Sequence, residues 1–169
     1  IIVVTVVAVW ALMSVPAAPG YAFADENLPP RDSAYGVVSE TVSPVFEPAG
    51  FGSWSLTGTL LTGFVAKEAV ISTWAQTYAV EDVTDAGADE QRTSPLADNI
   101  RADFDRASGG HGLAAVWAFM IFLLAYTPCV ATLAAQKREI GLKWTMFGLG
   151  TQLVGAWLLA VAVFQIARL

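Results

Sequence analysis

Two runs of 23 residues, Leu113–Ala135 and Trp144–Ile166, contain no charged side chain. A transmembrane helix needs about 20 predominantly apolar residues to cross a hydrocarbon core of ~30 Å, so each run is long enough to span a bilayer. A third stretch, Leu56–Tyr78, has the same length but carries Lys67 and Glu68 side by side near its middle. A charge at the bilayer centre costs about 2.5–3.5 kcal/mol even on the lenient insertion scale, and such residues usually pair, face water or serve a function.

A fourth apolar segment, Ile1–Val15, opens the chain and ends at Pro16. The expected fold is therefore an all-α membrane protein with about four hydrophobic helical segments. Only 14% of the residues are charged, against about a quarter in soluble domains, and the mean hydropathy is +0.54. The chain divides into a transmembrane helix at 1–15, an acidic loop at 16–52 and the charged membrane segment at 53–80. A polar loop at 81–110 and a transmembrane helical hairpin at 111–169 complete it. Ser33–Val42 reads as a short interfacial helix in the first loop. In the second loop, Ser94 with Pro95 behind it reads as the cap of a helix reaching Arg106. The chain starts without methionine and is expected to be the downstream piece of a longer protein. A signal peptide cleaved near Ala22-Phe23-Ala24 is the weaker reading, because no basic region precedes the apolar run.

Charge is segregated. The loops at 16–52 and 81–110 hold 13 of the 15 carboxylates, whereas Gln136–Lys143 holds Lys137, Arg138 and Lys143 against one Glu139. The positive-inside rule puts that basic connector in the cytoplasm. Both acidic loops then favour the outside, so the Lys67-Glu68 segment is expected to enter and leave on one face as a broken or re-entrant helix. A simple crossing is the alternative. The acidic residues of the second loop are read as a solvated face, and no nucleic-acid partner is expected. In the segment itself, Gly58, Thr62 and Ala66 form a small-residue stripe for close helix packing. In the last run Gln152 stands out as a polar side chain.

Tyr126-Thr127-Pro128-Cys129 interrupts the first uncharged run. Pro128 has no N–H and its ring clashes with the Leu124 carbonyl, so a kink and a freed carbonyl are expected. The sole thiol, Cys129, stands there with the hydroxyls of Thr127 and Thr132. That set suits a borderline divalent metal such as Fe(II), although a buried inert cysteine beside a proline kink fits the same residues. Glu68 is a second candidate, as metal ligand or proton relay. Lys67, which projects about 100° away on a helix, would neutralise it or anchor a helix end. His111, in a glycine-rich turn, reads as a solvated loop residue. The chain has no phosphate-binding glycine loop, zinc-type Cys/His cluster or Ser/His/Asp set.

Gly52-Ser53-Trp54, Thr62–Val70, Tyr126–Thr132, Lys137-Arg138-Glu139 and Lys143-Trp144 occur in that order. Together with Ser43–Phe51 they closely resemble the C-terminal membrane region, with the second gate domain, of the ferrous iron transport protein B family. The resemblance covers nearly the whole chain and implies one gate domain of a longer Fe(II) transporter in the bacterial inner membrane, multi-pass. It implies a candidate ligand role for Cys129. Gly63, Lys67, Thr127, Pro128 and Thr132 are read from the residues as gating or structural. Its gate architecture uses broken helices, in keeping with a re-entrant Gly63–Val70. GTP and Mg(II) belong, by the same resemblance, to an N-terminal domain outside this chain, so no enzyme activity is expected here. The implied partners are the lipid bilayer, the remaining helices and GTPase domain of the parent, and a homo-oligomeric copy. Two other readings stay open: a helix-packing or oligomerisation module, and a gate for another solute such as a nucleoside.

Overall fold

Short helices dominate the first two-thirds of the chain, because proline and glycine recur too often there for long ones. The computed structural model describes residues 7, 10–18, 20–25, 27–65, 70–78, 80, 85, 87–126 and 129–169. Among them every regular element is helical. Residues 10–14 are helical, while most of the expected first span lies outside the described residues. After a 3-10 turn at Pro30–Asp32 come α1 (Ala34–Val42), a 3-10 helix (Ser43–Ala49), α2 (Trp54–Val65) and α3 (Val70–Thr77). Then follow α4 (Ala88–Thr93), α5 (Pro95–Ala107), α6 (Gly112–Ala125) and α7 (Val130–Ala167).

Local chemistry sets these boundaries. Ser33 caps α1 by accepting from the Gly36 N–H at 3.4 Å, and Ser94 caps α5 by accepting from Ala97 at 3.2 Å. An N-terminal serine of this kind satisfies one of the orphan helix donors. The second loop holds two helices, where one was expected. Gly50 ends the 3-10 helix with φ +81, and a β-carbon there would also collide with the Phe164 ring. Gly141 breaks α7 with φ 80 and ψ 163. The basic connector is therefore a one-residue hinge between helical arms: glycine takes the left-handed backbone that other residues resist.

The first uncharged run departs further from expectation. It forms two helices, with Tyr126 and Cys129 both extended between them. The return arm of α7 after Gly141 is about 26 residues long, or ~39 Å at 1.5 Å per residue. It runs antiparallel to α6, so that Ala167 lies beside His111 and Leu113 while Leu149 and Leu153 lie beside Phe122 and Tyr126. Among the described residues, the stretch Gly112–Ala167 is the one long and apolar enough to cross a membrane.

Aromatic rings knit these layers. Phe119 of α6 contacts Phe51, Trp74 and Phe104 at centroid distances of 5.4, 5.6 and 5.4 Å. Phe46 bridges Phe51 and Phe122, each at 5.3 Å. The stripe on α2 receives α1: a β-carbon on Gly58 would lie 2.7 Å from the Tyr35 hydroxyl. That hydroxyl bonds Thr62 at 3.1 Å, and Thr62 donates to the Gly58 carbonyl. Tyr35 is thus the donor of the pair, and burial pushes its phenol up to about 12.

The last helix also repairs the proline-broken segment. In a 3-10 helix each N–H bonds the carbonyl three residues back, so Pro48, lacking an N–H, leaves the Val45 carbonyl without a helical donor. The Trp157 indole donates to it at 2.8 Å, and Gln165 donates to the Pro48 carbonyl at 2.9 Å. Gln152, the polar side chain singled out in the sequence, is exposed. Trp157→Phe keeps the ring and removes the donor, and should destabilise the protein by about 0.5–1.5 kcal/mol. Gln152→Leu should stay within about 0.5 kcal/mol. Melting of both variants in detergent checks the contrast.

Candidate functional site

α2 and α3 form a hairpin whose outer ends meet. Ser55, in the first turn of α2, and Tyr78, just past α3, donate to the same atom, Oδ2 of Asp103; the tyrosine distance is 2.7 Å. Arg106 donates to the other oxygen at 2.8 Å. Ser53 extends the chain: it accepts from the Leu56 N–H, which caps α2, and bonds Ser55 at 3.1 Å. Asp103 is 7% exposed. It is not part of a solvated face, as the sequence had suggested for this loop. A carboxylate this deeply buried needs charge-assisted partners, and here it has three.

Asp105, two residues on, accepts from the Gly112 N–H at 3.0 Å and so caps α6. His111 lies at the cap position itself, makes no side-chain cap and is exposed.

The second feature is the break between α6 and α7. Tyr126 stacks on Phe122 at 5.2 Å, and its hydroxyl donates to the Leu60 carbonyl of α2 at 3.2 Å. A β-carbon on Gly63 would lie 3.1 Å from that hydroxyl and 3.1 Å from Val70 of α3. Gly63 is therefore the point where the hairpin's two arms and the break approach one another. Cys129 occupies the position before α7 at half-buried depth, its side chain making no cap, with Sγ 3.5 Å from Oγ1 of the exposed Thr132.

Of the residues singled out in the sequence, Gly63 is brought to the break, and Cys129 and Thr132 stand together one helical turn apart. Lys67, Glu68, Thr127 and Pro128 lie outside the described residues. Among the described residues no three His, Cys, Asp or Glu side chains gather closely enough to hold a metal. Sequence reasoning missed Asp103, Ser55 and Tyr78. The signal was available: Asp103 falls inside the stripe Leu96, Ile100, Phe104 and Ala107 that α5 turns to the core, and a carboxylate on an apolar stripe calls for buried partners.

A family profile described as "Gate: Nucleoside recognition" matches residues 1–143. The chain is 33% identical over 172 residues to the Fe(2+) transporter FeoB of Methanocaldococcus jannaschii, covering all of this chain and 23% of that protein. It is 35% identical over 142 residues to the Fe(2+) transport protein A/Fe(2+) transporter FeoB fusion protein of Porphyromonas gingivalis, covering 82% of this chain and 16% of the relative. To the Fe(2+) transporter FeoB of Staphylococcus aureus it is 31% identical over 144 residues, covering 85% and 19%. The chain thus spans about a fifth of the length of these curated relatives. No solved structure matches it.

If Asp103 ties the hairpin shut, Tyr78→Phe should lower stability by about 1.5–3 kcal/mol, the scale of a hydrogen bond to a charged group. Amide hydrogen exchange should quicken in α5 and in the first turn of α2. Unchanged exchange in both would mean that the hairpin's ends are held by something other than this carboxylate.

Proposed function

The chain belongs to the gate family described as nucleoside recognition, and on that premise we propose that it forms the C-terminal membrane gate of a ferrous iron transporter. In this reading α2 and α3 enter and leave the bilayer on one face, as a re-entrant hairpin. Helices of 12 and 8 residues rise only ~18 and ~12 Å, short of the ~30 Å hydrocarbon core. Their outer ends share Asp103, so neither arm needs to reach the far side.

Membrane embedding is further supported by the outward face of α7. Trp144, Phe147, Val154, Leu158 and Ile166 are all more than half exposed, an apolar surface larger than soluble monomers usually present to water. The Gly141 hinge carries Lys137, Arg138 and Lys143 at its tip, which the positive-inside rule assigns to the cytoplasm. Bacterial inner membrane is the corresponding location.

The observation that carries the transport reading is the meeting of two interrupted helices: the α2–α3 hairpin at Gly63 and the α6–α7 break at Tyr126. Ion sites in transporters are commonly built where helices are discontinuous, because freed carbonyls replace an ion's water. Cys129 starts the helix beyond that break, where a thiolate suits Fe(II) better than it suits Mg(II), which prefers all-oxygen shells. Glu68 serves as support or relay, with Lys67 balancing its charge at rest. The gate opens under the control of a GTP-binding domain elsewhere in the parent protein.

In the full-length parent, Cys129→Ser should reduce Fe(II) uptake by roughly 10-fold or more at near-normal protein level, the scale on which disturbing a metal site acts. Unchanged uptake removes Cys129 from the mechanism. Glu68→Gln separates the competing readings: lost transport with intact assembly supports the gate, and lost assembly supports a helix-packing module. Competition of uptake by nucleosides, without effect of Fe(II), would reassign the solute.

A further inference from the structure

A cleft of about 380 Å³ opens at the mouth of the hairpin, where the 3-10 turn at Pro30–Asp32, α1, the start of α2 and α5 meet. Small-molecule sites commonly span about 300–1,000 Å³. Charges of both signs line it: Arg31 and Arg106, with Glu40 and Asp103, beside Trp54. Their hydrogen bonds separate the committed groups from the free ones. Asp103 is committed, one oxygen to Arg106 and the other to Ser55 and Tyr78. The cleft's serines are committed too. Ser43 donates to the Glu40 carbonyl, and Ser53 donates to Ser55, whose own proton goes to Asp103. A guanidinium carries five N–H donors. Among the described residues, Arg106 places one on Asp103 at 2.8 Å and Arg31 places one on Glu40 at 3.4 Å. Most of both forks is left for a ligand.

Two arginine forks on one cleft suit an acceptor with several oxygens. Phosphate fits, because its oxygens take paired N–H bonds from more than one side. A bare phosphate would nonetheless set a negative charge beside Glu40. The cleft's own charges, two arginines against Asp103 and Glu40, already sum to zero. Like charges placed side by side cost affinity. An ammonium joined to the phosphate removes that cost by facing Glu40. The Glu40 contact with Arg31 is long and exposed, so it exchanges readily. Phosphate between arginines and ammonium at a carboxylate is the layout of a phosphoethanolamine group. Position names its carrier. Trp54 opens α2, and tryptophan marks the headgroup level of a bilayer, so the cleft lies at the depth of phospholipid headgroups.

We propose that this cleft binds the headgroup of phosphatidylethanolamine, its phosphate accepting from Arg31 and Arg106 and its ammonium donating to Glu40. The proposal rests on the membrane reading above. A headgroup held there links the 3-10 turn and α1 to α5 across the hairpin mouth. The bonds to Asp103 stay in place beneath it.

The test uses the full-length parent in detergent, stripped of lipid, with phosphatidylethanolamine, phosphatidylcholine or phosphatidylglycerol added back at equal concentration. Native mass spectrometry counts the lipid retained per chain. One phosphatidylethanolamine should be retained. Phosphatidylcholine, whose ammonium has no N–H to donate, and phosphatidylglycerol, which has no ammonium, should be held several-fold less. Arg31→Gln removes one fork, spares the Asp103 network, and should weaken retention about 10-fold, the effect of one hydrogen bond to a charged group. Glu40→Gln should bring the three lipids level. Equal retention of all three by the unaltered protein, or retention unaffected by Arg31→Gln, overturns the site while the membrane reading stands. Inorganic phosphate binding as tightly as the lipid in titration calorimetry, with the same loss in Arg31→Gln, assigns the cleft to a free anion and overturns the lipid. A parent that stays soluble and lipid-free without detergent overturns the site and the membrane reading together.

Discussion

Asp103 is the contact on which the arrangement of the hairpin depends. A single carboxylate oxygen takes hydrogen bonds from Ser55 at the start of α2 and Tyr78 at the end of α3, while Arg106 holds the other oxygen. The common acceptor adds a directed polar tie to the ring contacts of Phe119 with Phe51 and Trp74, which draw the same two ends together. Charge-assisted bonds are roughly twice as strong as neutral ones. Removing the carboxylate would also leave three donors to find new partners. Because Asp103 sits on α5, the same contact fixes the outer loop to the hairpin. Phe104, its neighbour, then reaches Trp74 and Phe119.

A second rule runs through the molecule: each helix interruption exposes a carbonyl, and a side chain from a distant helix answers it. Pro48 orphans the Val45 carbonyl, and Trp157 supplies the donor from 112 residues away. Gln165 does the same for Pro48 itself. Tyr126, placed at the α6 break, donates to Leu60 of α2, 66 residues earlier. In lipid, irregular backbone is tolerated only where protein or a watery cavity covers it. These aromatic and amide donors let short, broken elements coexist with apolar surroundings.

How much of this could be read from the sequence follows from the range of each interaction. The uncharged runs, the Ser94 cap and the interruption at Tyr126–Cys129 rest on neighbours within a few residues, and each was legible. The small stripe of α2 announced close packing, but not that α1 would be the partner through Tyr35 and Thr62. Pro48 marks the orphaned Val45 carbonyl but not its partner: Gln152, the conspicuous polar side chain, is exposed, and the donors are Trp157 and Gln165. Asp103 was hidden by composition, because it sits in a loop where most carboxylates face solvent. Only its register on the apolar face of α5 set it apart. Lys67 and Glu68, the most conspicuous pair in the sequence, lie outside the described residues.

The two ends of the hairpin differ in stiffness, and that difference is what a gate needs. Its mouth is held by charge-assisted bonds to a buried carboxylate, and breaking them strands a charge. Among the described residues, its inner region meets the α6–α7 break through a neutral hydrogen bond from Tyr126 to Leu60, worth about 0.5–1.5 kcal/mol net. Gly63 keeps the approach close, since any side chain would push Tyr126 and Val70 away. Movement is therefore cheapest where the two interrupted helices meet and most costly where the hairpin is anchored. An input of binding energy at the break would shift the inner contact long before it disturbed the fold.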